Sequence, residues 1–220
     1  MARISTEMTW EWHSRRYSQH KFTPLKITYS NLLSTTEEFD SANFSNKAIQ
    51  QSFQDAFIPQ MSYTYILDRS FGPNNITWTS TLTEAGNISY LIWKACGGEK
   101  GNMHIFETYL SQFIKVQTQL VWTRILFGEH KLVSRVFLGV AHAYGNSFDV
   151  PYMEQFYIGG SNSLRGFTVR SVGPGSYRAS NERSNIFFDQ TGCFKFETNW
   201  EYRFPLFGYL KGAAFIDAGN

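Results

Sequence analysis

The chain has 220 residues, of which 17% are aromatic and only 17% charged, with a formal net charge of +2 and a mean hydropathy of −0.31. A charge this small, without a basic run, argues against a nucleic-acid partner. No apolar stretch approaches the roughly 18 residues of a membrane-spanning helix. Few charges together with many aromatic rings are typical of a transmembrane β-barrel.

Alternating apolar and polar residues predict strands in the first half of the chain. Trp10 and Trp12 alternate with Glu11 and His13, and the same period-two pattern recurs three more times. Residues 88–95 and 46–57 are candidates for short helices within loops, and neither stretch is long enough for the pattern to decide. The predicted strands cover residues 7–17, 22–33, 60–67 and 76–87.

The second half continues with four more predicted strands. Residues 127–130, Phe-Gly-Glu-His, have the composition of a tight turn. The stretch from Phe194 to Phe204 has a face of Phe, Trp and Tyr opposite a face of Lys, Glu, Asn and Arg, which suits lipid on one side and a wet lumen on the other. These predicted strands cover residues 108–126, 131–143, 193–204 and 209–220.

The predicted connections alternate in length along the chain. Outer-membrane barrels have short periplasmic turns and longer extracellular loops, so this alternation favours a membrane barrel. The pattern alone leaves a soluble up-and-down barrel or a large sandwich as an alternative. The short connections lie near 18–21, 68–75, 127–130 and 205–208, and the long ones cover about 34–59, 88–107 and 144–192.

A glycine-rich segment, residues 156–167, reads Phe-Tyr-Ile-Gly-Gly-Ser-Asn-Ser-Leu-Arg-Gly-Phe. It resembles the motif of the sixth extracellular loop in the BamA/TamA family of outer-membrane assembly factors (the bacterial surface antigen superfamily). The core of that motif is an aliphatic residue followed by Arg-Gly and an aromatic ring. The matching residues here are Gly159, Gly160, Leu164, Arg165, Gly166 and Phe167.

Two acidic motifs follow in the family's order. Glu201 lies four residues before Pro205, and Phe215, Asp217 and Gly219 form an aromatic-x-Asp-x-Gly motif. The resemblance implies that the loop folds back into the barrel and that its arginine contacts both acids. Arg165, Glu201 and Asp217 are therefore predicted to form a structural loop lock, since an arginine can bind carboxylates through paired hydrogen bonds.

The flanking residues 168–177 and 202–207 look especially similar to the TamA-like branch of Bacteroidetes. The resemblance implies an all-β fold in which residues 1–220 are part of an outer-membrane β-barrel domain. They would form about eight strands of a barrel of about sixteen. Roughly five strands before them and roughly three after them are expected to be missing, together with the periplasmic POTRA domains.

The function that the resemblance implies is assembly or insertion of other proteins in the bacterial outer membrane, without enzymatic chemistry or cofactors. The implied partners are outer-membrane lipid and nascent outer-membrane β-barrel proteins, with periplasmic or inner-membrane assembly partners left open. We expect an incomplete barrel to be inactive alone, because its unpaired strand edges are intolerable in lipid.

Two other functions remain open from the sequence. One is a two-partner-secretion translocator with a similar loop, and the other is a soluble β-domain that binds a ligand or carbohydrate. No histidine, cysteine or serine lies at metal-binding or nucleophile spacing. Glu197 is interpreted as a residue of the lumen wall rather than a second partner of the loop.

Overall fold

The computed structural model describes residues 2–31, 55–97, 104–105, 108–145, 147–176 and 190–220. Eight antiparallel strands form one sheet, and each strand pairs with its neighbour in that sheet in chain order. The strands are β1 (Ala2–Arg15), β2 (Ser18–Asn31), β3 (Ala56–Phe71), β4 (Asn74–Ala85), β7 (Phe113–Ile125), β8 (Lys131–Ala143), β9 (Phe194–Phe207) and β10 (Leu210–Gly219).

The smaller elements lie in the connections. Helix α1 (Asn87–Ala95) follows β4, and a two-stranded hairpin of β5 (His104–Ile105) and β6 (Thr108–Tyr109) precedes β7. A 3-10 helix (Tyr152–Glu154) lies between β8 and β9. The sheet confirms the predicted fold class, a partial antiparallel β-barrel.

The alternation of side chains divides the sheet into two faces, because successive residues of a strand point to opposite sides. One face, here called the outer face, presents exposed apolar side chains such as Trp78, Leu120, Leu138 and Trp200. The opposite face, here called the inner face, is the polar one, and it includes Glu201. An exposed apolar face next to a polar face is the arrangement of a barrel wall in lipid.

The four short connections all lie at one end of the sheet and the long ones at the other. This follows from antiparallel pairing in chain order. The predicted alternation of short and long connections agrees with this arrangement, including the turn after β7. The short connections are residues 16–17, 72–73, 126–130 and 208–209, and the long ones lie between β2 and β3, between β4 and β7, and between β8 and β9.

Several predicted boundaries change. Strand β7 starts at Phe113 rather than at residue 108, because residues 108–109 belong to a separate hairpin and Leu110 is fully buried beside Phe57. Strand β3 begins at Ala56, so the preceding connection is shorter than the predicted 34–59. The candidate helix at 88–95 is present as α1. Most of the candidate helix within 46–57 lies outside the described residues.

An apolar core lies at the long-loop end of the inner face. There the ends of four strands pack against the connection between β8 and β9, and Phe156 of that connection stacks edge-on against Phe137, with ring centroids 6.1 Å apart. The core residues are Ala56, Ile58, Ala85, Phe113, Ala141, Val150 and Phe156.

Neither Cys96 nor Cys193 forms a disulfide. Within the described ranges, no helix has the length and apolar character needed to cross a membrane.

Candidate functional site

The connection between β8 and β9 returns to the inner face and forms a tight tip there. Residues 159–167, here called the loop tip, are closed by hydrogen bonds from Gly160 N–H to the Phe167 carbonyl (2.9 Å) and from Ser163 N–H to the Gly160 carbonyl (3.1 Å). Two isolated β-bridges join the segment before the loop tip to the segment after it. They pair Phe156 with Gly192 and Ile158 with Val172.

Gly159 lets the chain turn where no other residue fits. Its φ of +104° lies in the region that L side chains avoid, and a Cβ there would come within 2.1 Å of the Thr168 carbonyl oxygen. The two halves of the loop therefore approach each other backbone to backbone.

Arg165 projects from this tip onto the wall formed by β9 and β10. Its Nε and Nη2 donate to the two carboxylate oxygens of Asp217 at 2.8 and 2.7 Å, and its backbone N–H donates to the same carboxylate at 3.1 Å. Its Nη1 donates to Glu201. The structure thus brings together the three residues that the sequence motifs singled out, through paired charge-assisted hydrogen bonds.

The charged groups of this contact are largely shielded from solvent. The side chains of Arg165, Glu201 and Asp217 are 23%, 16% and 5% exposed. The hydrogen bonds to Asp217 raise the pKa of Arg165 above its already high value, so the guanidinium stays charged. Phe215 lies two residues from Asp217 on the same face, and the guanidinium carbon lies 3.7 Å from its ring centroid, in cation–π contact.

A second contact on β8 and β9 holds the other side of the tip. Glu197 is fully buried and accepts hydrogen bonds from Ser163 of the tip and from Arg135 at 2.7 Å. Arg135 also donates to the backbone carbonyl of Asn162. Lys195 lies 3.0 Å from Glu197. Glu197 is thus a direct partner of the loop, whereas the sequence interpretation favoured a plain wall residue.

Asn199 joins the two contacts. Its amide donates to the Ser163 carbonyl at 2.8 Å and to Asp217 at 2.9 Å. Gly219 lies opposite Glu197 in the register of β9 and β10. A Cβ at Gly219 would lie 2.7 Å from the Phe196 carbonyl oxygen and 3.1 Å from Glu197 Cγ. The glycine of the strand motif therefore leaves space for the buried glutamate.

The other residues of the loop motif differ in their surroundings. Leu164 is buried, whereas Phe167 is 56% exposed. Gly160 has a positive φ and a Val169 side-chain atom nearby, and Gly166 has a positive φ in open space.

Sequence reasoning missed Arg135, Ser163 and Asn199. Asn199 could have been found, because it lies two residues from Glu201 and therefore on the same face. Ser163 and Arg135 carried no comparable signal, since their contact depends on where the loop docks.

The site has the chemistry of a structural contact. Each carboxylate is engaged by a cation, and within the described residues no group of three His, Cys, Asp or Glu side chains could hold a metal ion. What the arrangement can do is hold a loop against a wall at two points.

Comparison with known proteins gives two findings. Residues 3–220 match the Omp85 superfamily domain. An 88-residue stretch is 31% identical to the outer membrane protein assembly factor BamA of Neisseria meningitidis serogroup B. That stretch is 38% of this chain and 10% of the relative, so the chain is similar to only a small part of that longer protein.

Proposed function

Because this chain belongs to the Omp85 superfamily, we propose that it is part of an outer-membrane β-barrel that assembles or inserts other proteins in the bacterial outer membrane. The name of its relative, an outer membrane protein assembly factor, supports that role. The exposed apolar outer face supports placement in lipid. The role needs no bound cofactor and no enzymatic step.

The observation that carries the proposal is the docking of the loop tip on the inner face. Arg165 joins the tip to Asp217 on β10 and Glu201 on β9, and Arg135 and Glu197 join it to β8 and β9. A wall whose adjacent strands are tied to one loop resists shear between them. We infer that this loop lock keeps the barrel wall in the shape needed for lateral opening elsewhere in the barrel.

The finer assignment is a TamA-like protein of the Bacteroidetes type. In this proposal residues 1–220 form about half of a sixteen-stranded barrel that follows POTRA domains. The edges of β1 and β10 support it, because within the described residues each of these strands pairs with one neighbour only. In lipid, such edges need further strands to satisfy their backbone groups.

The test uses the full-length protein in liposomes. An unfolded β-barrel substrate is added, and its insertion is followed by heat-dependent gel mobility. We expect the protein to accelerate insertion, the Arg165→Ala variant to do so more slowly, and the isolated 220 residues to have no effect. An insertion rate equal to that of empty liposomes would overturn the proposed function.

A further inference from the structure

Four arginines at the short-turn end of the sheet have no carboxylate partner within the described part of the chain. Arg15 and Arg16 lie at the turn between β1 and β2, Arg69 lies near the end of β3, and Arg124 near the end of β7; all four are exposed. Arg69 lies 6.0 Å from the ring centroid of Tyr17, which is a weak contact. Their guanidinium groups are exposed and therefore accessible to anions from outside the described part of the chain.

The strand register places Arg69 and Arg124 on the outer face. Arg69 lies opposite Ile76, which lies opposite Trp122. Arg124 lies two residues beyond Trp122, so it points to the same side, and it faces Asn74. Both side chains therefore project from the lipid-facing wall near the short turns, and Phe71 is the one residue of β3 that lies beyond Arg69 on this face.

Aromatic side chains lie on the same face, slightly farther from the turns. Trp12 stacks on His20 with ring centroids 5.3 Å apart, and Tyr65 meets Trp78 edge-on at 5.7 Å. Rings that carry one polar atom are typical of the boundary between hydrocarbon and headgroups. The four arginines lie nearer to the short turns than these rings do, which in the proposed placement in lipid is the side of the headgroups.

The inner face at the same end is different. There Arg203 lies 2.5 Å from Glu201, and Lys211 lies 3.0 Å from Glu129. Contact with Lys211 lowers the pKa of the Glu129 carboxyl. Arg203 and Lys211 therefore have carboxylate partners, whereas the four exposed arginines have no carboxylate partner among the described residues.

We propose that Arg15, Arg16, Arg69 and Arg124 form a binding surface for the phosphates of anionic phospholipids in the leaflet at the short-turn end. This rests on the proposed placement in the outer membrane, where short turns are periplasmic. Guanidinium groups bind phosphate oxygens through paired hydrogen bonds. Clustered arginines favour a lipid of net negative charge over a zwitterionic one, because the latter brings its own cation to the surface.

The experiment measures lipid preference on the folded full-length protein. The protein is reconstituted in phosphatidylethanolamine bilayers that contain phosphatidylglycerol, and the motionally restricted fractions of spin-labelled phosphatidylglycerol and phosphatidylethanolamine are compared. The test variant is Arg69→Gln with Arg124→Gln. The matched control, Lys131→Gln with Lys211→Gln, removes the same charge from the same end, since Lys131 lies on the inner face opposite Arg203.

A cation near a charged lipid surface contributes about fivefold to association. We expect wild type and control to prefer phosphatidylglycerol severalfold, less strongly at high salt, and the test variant to lose most of this preference. No preference in wild type, or an equal loss in the control variant, would overturn the proposal. Insertion activity in phosphatidylcholine liposomes, which carry no net charge, is measured separately, so failure of the assembly function is distinguishable from failure of lipid binding.

Discussion

Replacing Arg165 with alanine removes the central cation of the loop lock. Asp217, only 5% exposed, keeps hydrogen bonds from Asn199 and from the backbone N–H of residue 165 but loses its charged partner. Glu201 keeps Arg203, whose side chain is 57% exposed. A buried carboxylate left without its cation costs about 3–5 kcal/mol. We expect the docked loop to be destabilised by this amount relative to the undocked loop, compared with wild type.

The Arg165→Lys variant tests whether the positive charge alone stabilises the docked loop or whether the hydrogen-bond geometry of arginine is also needed. An ammonium keeps the charge but cannot reach both oxygens of Asp217 and the Glu201 carboxylate with the planar fork of a guanidinium. The loss of a charge-assisted hydrogen bond is expected to cost about 1.5–3 kcal/mol. Stability of the docked loop should therefore fall in the order wild type, lysine variant, alanine variant.

Hydrogen exchange of the loop-tip amides in the folded full-length protein measures this directly, because those amides exchange when the tip undocks. The alanine variant should exchange faster by about 160- to 5,000-fold, since each 1.36 kcal/mol is a factor of ten. Lys94→Ala, an equal charge change at an exposed position of α1, should leave the rate unchanged. If the loop-tip amides of the Arg165→Ala variant exchange at the wild-type rate, the proposed loop lock is refuted.

Three further changes have distinct expected outcomes. Glu197→Gln removes the buried charge that Ser163 contacts, so tip exchange should rise, although less than in Arg165→Ala; an unchanged rate would exclude the second anchor. Gly159→Ala should strongly lower the free energy of urea unfolding, because the new Cβ would lie 2.1 Å from a backbone oxygen. Gly72→Ala, also at positive φ but in open space, should lower it by only about 1 kcal/mol. Equal losses in the two variants would contradict the close approach at Gly159. Val116→Arg on the outer face should lower the free energy of unfolding in bilayers by about 2–4 kcal/mol, with the folded fraction measured by heat-dependent gel mobility. An equal effect of Gln117→Arg on the inner face would contradict the assignment of faces.

Much of the wall could be predicted from local pattern. The alternation around Trp78 and Trp200 assigns each residue to a face because a strand has a fixed period of two. Short turns then require antiparallel neighbours, so the order of strands follows from the lengths of the connections. The motif residues Arg165, Glu201 and Asp217 could also be named, although only as a resemblance between ordered segments.

What the chain pattern could not decide is where the long loop docks. Ser163 contacts Glu197, and Asn162 contacts Arg135, only because the loop crosses the inner face at one position. The alternation of apolar and polar residues does not predict that position. The start of β7 is a similar case: the alternation continues through Leu110, but this residue is buried beside Phe57 at the start of β3 and does not belong to β7. Local preference determines which way a side chain points, whereas long-range packing determines what it meets.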